Sequence, residues 1–289
     1  MANEDKILLE INNLRKYFPV KGMKGPGVQA VQDVSFFIKK GETLGLVGES
    51  GCGKTTLGRT IIRLHEPTGG KIVYDGETIY DNPLGPDGKP LGKEKAVNML
   101  PYRRKMQIVF QDPYSSLNPK KTIRSILSEG YLIHHTVSKK DLNDVLALLS
   151  EKTGISKDMW DQYPHELDGG KRQVVGIARA LSMNPKFIVC DEPVSSLDVS
   201  VQAKVLNLLM DLQKEMNLSY LFISHDLSLV RRLCSRVIVM KDGRIVEQGA
   251  MEDIFENPQQ EYTQKLIAAI PRCVKKNSGR SAKTEEAHG

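Results

Sequence analysis

The 289 residues include four cysteines, Cys52, Cys190, Cys234 and Cys273, scattered with no Cys-x-x-Cys spacing. That scatter excludes a zinc ribbon and a disulfide framework, and it suits a reducing compartment. Apolar runs are short: none approaches the roughly 18 to 20 residues a membrane helix needs, and the opening Met1-Ala-Asn-Glu-Asp-Lys6 lacks the apolar core of a signal peptide. These absences predict a globular protein that stays in the cytosol. Aromatics make up only 6% of the chain, with a single tryptophan, and no Lys/Arg block interleaves with them. No nucleic-acid partner is therefore expected. The charge excess is mild, 41 Lys and Arg against 35 Asp and Glu, and reads first as solvated surface.

What is present is a phosphate-binding pattern. Gly48-Glu-Ser-Gly-Cys-Gly-Lys-Thr55 fits G-x-x-x-x-G-K-[ST] and directly follows the apolar run Thr43–Val47. In such a loop the backbone of Gly48, Ser50, Gly51, Cys52 and Gly53 turns its N–H groups around a triphosphate. Lys54 reaches the β and γ phosphates, and Thr55 holds Mg²⁺. The helix expected over residues 54–64, with Thr56 in its first turn, presents its positive end to the same anion. A nucleoside triphosphate and Mg²⁺ are thus the expected ligands.

The remaining periodicities place this loop in an α/β chain. Short apolar or alternating stretches at 7–10 and 31–39 predict paired strands joined by a Gly/Pro loop at 21–27, and 71–74 predicts another strand before Asp75-Gly76. Residues 81–92 read as a turn-rich surface loop. After a β-rich pentad at 106–110 come helical stretches at 122–133 and 139–153, an inserted block. Then helix 171–183, strand 187–190, helix 199–216 and strand 220–224 alternate as parallel sheets require. A hairpin over 236–248 and a helical stretch over 251–270 close the fold, and the polar, aperiodic residues 274–289 read as a disordered tail. The apolar segment Phe187-Ile-Val-Cys-Asp191-Glu192 ends in two acids, where a phosphate-loop enzyme needs a carboxylate for Mg²⁺, a role Asp191 fits, and a base for water, a role Glu192 fits.

Together these elements resemble an ATP-binding cassette ATPase subunit over about residues 9–271. The resemblance implies a P-loop (RecA-like) mixed sheet with an antiparallel β subdomain, a helical subdomain over about 112–172 and a C-terminal extension over about 250–271. It implies that Tyr17 stacks on adenine, that Gln111 senses Mg²⁺ and water, and that His225 of Ile223-Ser-His-Asp226 is the switch histidine. It also implies that Ser195-Ser-Leu-Asp198 meets a second nucleotide domain.

One motif departs from the pattern. Where the family signature reads Leu-Ser-Gly-Gly-Gln, this chain has Leu167-Asp168-Gly169-Gly170-Lys171. The family uses that segment on the γ-phosphate bound by a partner, through a serine hydroxyl that donates; an ionised Asp168 only accepts. The departure implies an asymmetric heterodimer with one impaired composite site.

Gln111-Asp-Pro-Tyr-Ser-Ser-Leu-Asn-Pro119, Tyr163-Pro-His-Glu166 and Asn257-Pro-Gln-Gln-Glu-Tyr-Thr263 resemble the branch serving oligopeptide, dipeptide and nickel importers. That branch implies two permease subunits, a second ATPase and an extracytoplasmic solute-binding protein, with this chain at the cytoplasmic face of the membrane. Peptide and nickel or metallophore cargo both remain open, as does a mainly regulatory nucleotide-binding role. Only Cys273 stands where relatives carry a C-terminal cysteine cluster, so no iron–sulfur centre is expected.

Overall fold

The computed structural model describes residues 6–22, 25, 27–83, 85 and 97–270. The chain opens with β1 (Ile7–Phe18) and β2 (Val28–Lys39), an antiparallel pair, and the central strand β3 (Thr43–Val47) leads through the glycine loop into α1 (Lys54–Ile61). β4 (Gly69–Tyr74) and β5 (Glu77–Asn82) join the first two strands in a four-stranded antiparallel sheet ordered β2-β1-β4-β5. The loop expected from residue 81 therefore begins later than predicted, because Asp81 and Asn82 pair with Lys71 and Gly70. The remainder of that expected loop, from 86 on, lies outside the described residues, as do Cys273 and the tail.

α2 (Leu100–Lys105) precedes β6 (Met106–Val109). Then come α3 (Pro113–Ser116), α4 (Ile123–Ile133), α5 (Leu142–Thr153) and α6 (Gly169–Leu181), before β7 (Phe187–Asp191). α7 (Val199–Met216), β8 (Ser219–Ile223), α8 (Leu227–Leu233), β9 (Arg236–Lys241), β10 (Arg244–Ala250), α9 (Met251–Glu256) and α10 (Glu261–Ala268) complete it. The second sheet is ordered β10-β9-β3-β8-β7-β6, parallel throughout except for the β10–β9 hairpin.

β3, β7 and β8 are buried at every position, as expected of parallel strands covered on both faces. Side chains alternate between two apolar cores. Leu44, Leu46, Ile238 and Met240 face the antiparallel sheet and α1, whereas Val47, Val237 and Val239 face the helical side with α6 and α7. Ends of the parallel strands converge on one edge, where the loops after β3, β6, β7 and β8 carry the candidate residues.

β1 is three times longer than its apolar stretch suggested, since Asn12, Asn13, Arg15 and Lys16 sit on strand positions outside the core. Bulges interrupt its pairing, and Asn13 adopts φ 47°.

Candidate functional site

The glycine loop owes its shape to contacts with β2 and β9. Gly53 adopts φ 105°, and a Cβ there would stand 2.1 Å from the Ala30 carbonyl oxygen, so no other residue fits. α1 starts at this glycine with no side-chain cap and no acidic residue in its first turn. Its first N–H groups are therefore directed at the loop's concave side. Lys54 is 4% exposed, and its ammonium donates to the Gly48 and Glu49 carbonyls, 2.8 Å each. The Cys52 thiol lies beneath, 3.8 Å from Lys54 Nζ, and burial pushes its pKa up, so it stays a neutral packing group.

Across the strand ends, Thr55 Oγ1 donates to Asp191 Oδ1 at 2.7 Å. Asp191 is fully buried, and desolvation raises its carboxyl pKa against the pull of the Thr55 hydrogen bond and the Arg59 guanidinium. Its Oδ2 has no hydrogen-bond partner, and Arg59 Nη2 stands 3.6 Å away. A hydroxyl and a carboxylate with one oxygen lacking a hydrogen-bond donor suit a hard cation. Among the described residues no group of three or more His, Cys, Asp or Glu could hold a metal alone.

Glu192 leaves β7 with φ 47°, a conformation unusual for a side-chain-bearing residue, held by its N–H donating to the Ile223 carbonyl at 3.0 Å. The twist turns the carboxylate into the cleft, 14% exposed. Gln111 Nε2 donates to Glu192 Oε2 at 3.0 Å, and His225 Nδ1 lies 3.2 Å from the same oxygen. Helix α8 is capped by Asp226, which accepts from Ser228 and Leu229 N–H groups. His225 is therefore released from capping and stands 58% exposed toward the cleft.

Lys54, Thr55, Gln111, Glu192 and His225 line one cleft of about 950 Å³ together with Ser50, Gly51, Thr56 and Phe18, while Asp191 is buried behind Thr55 and outside that lining. Tyr17, expected to face adenine, is not among its lining residues. Neighbours in a strand point to opposite faces, and the register of β1 turns Phe18 into the cleft beside Val28 and Gln29. Adjacent aromatics cannot be distinguished from sequence without that register.

The signature residues form a separate surface. Asp168 is the N-cap of α6, its Oδ1 accepting from the Lys171 N–H at 2.8 Å, and its Oδ2 lies 3.5 Å from Lys171 Nζ. Gly170 packs on α7, where a Cβ would stand 2.5 Å from Val201 Cγ1. Asp168 and Gly170 line a hollow with Val174, Val201 and Lys204, away from the glycine-loop cleft. Asp198, like Asp168, caps the following helix, accepting from Ser200 and Val201 N–H groups.

A parallel sheet with a glycine loop after its central strand and an acid pair at the end of β7, the next strand but one, defines a P-loop nucleotide-binding ATPase. The chain matches the ABC transporter family over residues 31–195 and the C-terminal region of oligopeptide/dipeptide transporters over residues 246–288. It is 46% identical over 281 residues to the Bacillus subtilis oligopeptide transport ATP-binding protein AppF, covering 96% of this chain and 82% of the relative. Against the Escherichia coli dipeptide transport ATP-binding protein DppF it is 46% identical over 268 residues, covering 92% and 77%. The solved structure of Clostridium perfringens cbiO1, part of an ABC transporter complex, superposes with TM-score 0.72 at 26% identity, covering 88% of this chain and 92% of that one. A dimeric ATP-binding cassette in a post-hydrolysis state with ADP and phosphate gives TM-score 0.70 at 26% identity, covering 84% and 99%. The chain belongs to the ABC transporter family, as an ATP-binding ATPase subunit. Among the described residues no helix is long and apolar enough to cross a membrane.

Proposed function

We propose that this chain energises import of oligopeptides or dipeptides, hydrolysing ATP at the cytoplasmic face of the membrane as one half of an ATPase heterodimer. The observation that carries this reading is the convergence of Gln111 and His225 on Glu192 Oε2, beside the Thr55–Asp191 pair and the Lys54 loop. Peptide cargo is favoured over nickel or metallophore by the names of the relatives above, oligopeptide and dipeptide transport ATP-binding proteins.

In this mechanism the loop amides and Lys54 bind the phosphates, Thr55 and Asp191 would hold the metal, and Glu192 accepts the proton of the attacking water. Mg²⁺, when bound, neutralises charge developing on the phosphate oxygens. Gln111 and His225 orient the Glu192 carboxylate by fixing one oxygen, so the other addresses water. Phe18 covers the base, while Asp168, Gly169 and Gly170 act on the nucleotide of the partner ATPase. A groove holding Leu64 and Ile133, 47% and 61% exposed, supports contact with a permease subunit. Two permeases and an extracytoplasmic solute-binding protein complete the proposed assembly. The intact base and histidine argue against a purely regulatory subunit.

The test is Glu192→Gln in the full complex in membrane vesicles. ATP binding is expected to persist, while hydrolysis falls by about 10² to 10⁴, the usual contribution of a general base, and peptide uptake stops. Hydrolysis at the wild-type rate would remove Glu192 from the base role.

A further inference from the structure

Tyr262 belongs to α10, yet its hydroxyl accepts a hydrogen bond from the backbone N–H of Glu49 at 3.1 Å, across 213 residues of chain. Glu49 is the second residue of the glycine loop, and its own carbonyl accepts from Lys54 Nζ at 2.8 Å. Glu49 is therefore gripped on both sides, its N–H by the C-terminal extension and its C=O by the loop lysine. Tyr262 does not line the cleft. Any effect it has on a nucleotide must travel through this backbone.

The tyrosine is itself held in place. Lys241 Nζ lies 4.9 Å from its ring centroid. The next residue, Thr263, is fully buried, and Glu247 of β10 ties down the start of α10 by accepting from the Gln259 and Gln260 N–H groups at 2.8 and 3.2 Å. Met240, just before Lys241, packs its carbonyl against Gly48, where a Cβ would stand 2.1 Å away. Strand β9, helix α10 and the first two loop residues are thus tied to one another.

We propose that Tyr262 is a positioning residue for nucleotide binding: α10 holds the glycine loop in its phosphate-ready shape from outside the cleft. The inference rests on residues 48–55 being the ATP site. Without the tyrosine hydroxyl the Glu49 peptide gains conformations that Lys54 cannot use, and binding must then restore the order. A pre-ordered loop also explains why a residue remote from the ligand carries a polar tip on a half-buried ring.

The experiment compares Tyr262→Phe with wild type in the full-length protein, using titration with Mg-ATP and with Mg-ADP together with deuterium exchange of the loop. Both nucleotides are expected to bind about fivefold more weakly, the value of one neutral hydrogen bond, with faster exchange confined to residues around 49. Glu247→Gln, which loosens the seat of α10 and leaves the tyrosine intact, is expected to shift affinity the same way by a smaller factor. Affinities within about twofold of wild type for Tyr262→Phe overturn the proposal. So does a loss accompanied by faster exchange throughout the sheet, which would make Tyr262 an ordinary packing residue. Wild-type protein with no Mg-ATP affinity would instead overturn the ATP-site reading itself.

Discussion

Replacing Asp168 with serine isolates the position at which this chain departs from its family's signature. Asp168 Oδ1 caps α6 at 2.8 Å from the Lys171 N–H, and serine caps about as well, within a few tenths of a kcal/mol. The ion pair to Lys171 would be lost, but it spans 3.5 Å between side chains 62% and 59% exposed and is worth less than about 1 kcal/mol. The unfolding midpoint should therefore shift by no more than about 2 to 4 °C. The effect on function is larger. A unit charge about 3 Å from another costs about 5.5 kcal/mol at an effective dielectric of 20 and about 1.4 in water. The exposure of Asp168 and the adjacent Lys171 place the cost in domain closure near the lower figure. Asp168→Ser should then raise ATPase turnover of the assembled complex by about tenfold where closure limits the rate. The gain should shrink as salt is raised from about 0.01 to 0.15 M, over which the Debye length drops from about 30 to 8 Å. Unchanged or lower turnover, at an unchanged unfolding midpoint, would refute the repulsion between Asp168 and the partner's nucleotide.

Phe18→Ala should weaken Mg-ATP binding by about 1 to 3 kcal/mol, the value of base–aromatic stacking, while Tyr17→Ala changes it by less than about 0.5; equal losses in a binding titration would contradict the strand register. Asp191→Asn separates stability from activity. Burial raises the Asp191 pKa above its ordinary 3.8, so its ionisation opposes folding above the folded-state pKa and costs nothing below 3.8. The asparagine variant is accordingly expected to melt higher than wild type at pH 7.5 without nucleotide. That advantage should fade as the pH drops toward 3.8, and the variant should gain no thermal stabilisation from Mg-ATP. A lower melting temperature at pH 7.5 would mean that the Arg59 pairing outweighs desolvation.

The parallel half of the fold was legible because its strands are continuous apolar runs bounded by helices with clear periodicity: β7, α7 and β8 lie within a residue or two of the predicted ranges. The glycine loop, Asp191 and Glu192 were legible for the same reason, since each stands at or directly after the end of such a strand. β5 was obscured because Glu77–Asn82 alternates weakly and is mostly polar, and β1 because its outer positions carry Asn, Arg and Lys. Both belong to a sheet with one wetted face, where cross-strand pairing decides more than composition. The choice between Tyr17 and Phe18 needed that register. Tyr262 was out of reach for a different reason: a hydrogen bond to a backbone N–H leaves no mark on the residue that donates it. The cap formed by Asp168 was readable in principle, as an acid followed by Gly-Gly at a helix start.

The most direct measurement is calorimetric titration of ATP, with magnesium and with chelator, into wild type and Lys54→Ala. Lys54 places a buried ammonium against the loop carbonyls, and charge-assisted contacts of this kind are worth about 1.5 to 3 kcal/mol. Wild type should bind ATP in a magnesium-dependent manner, and Lys54→Ala should bind roughly ten- to a hundredfold more weakly. Undiminished affinity in the variant, or wild-type binding indifferent to magnesium, would contradict the assignment of this cleft to ATP.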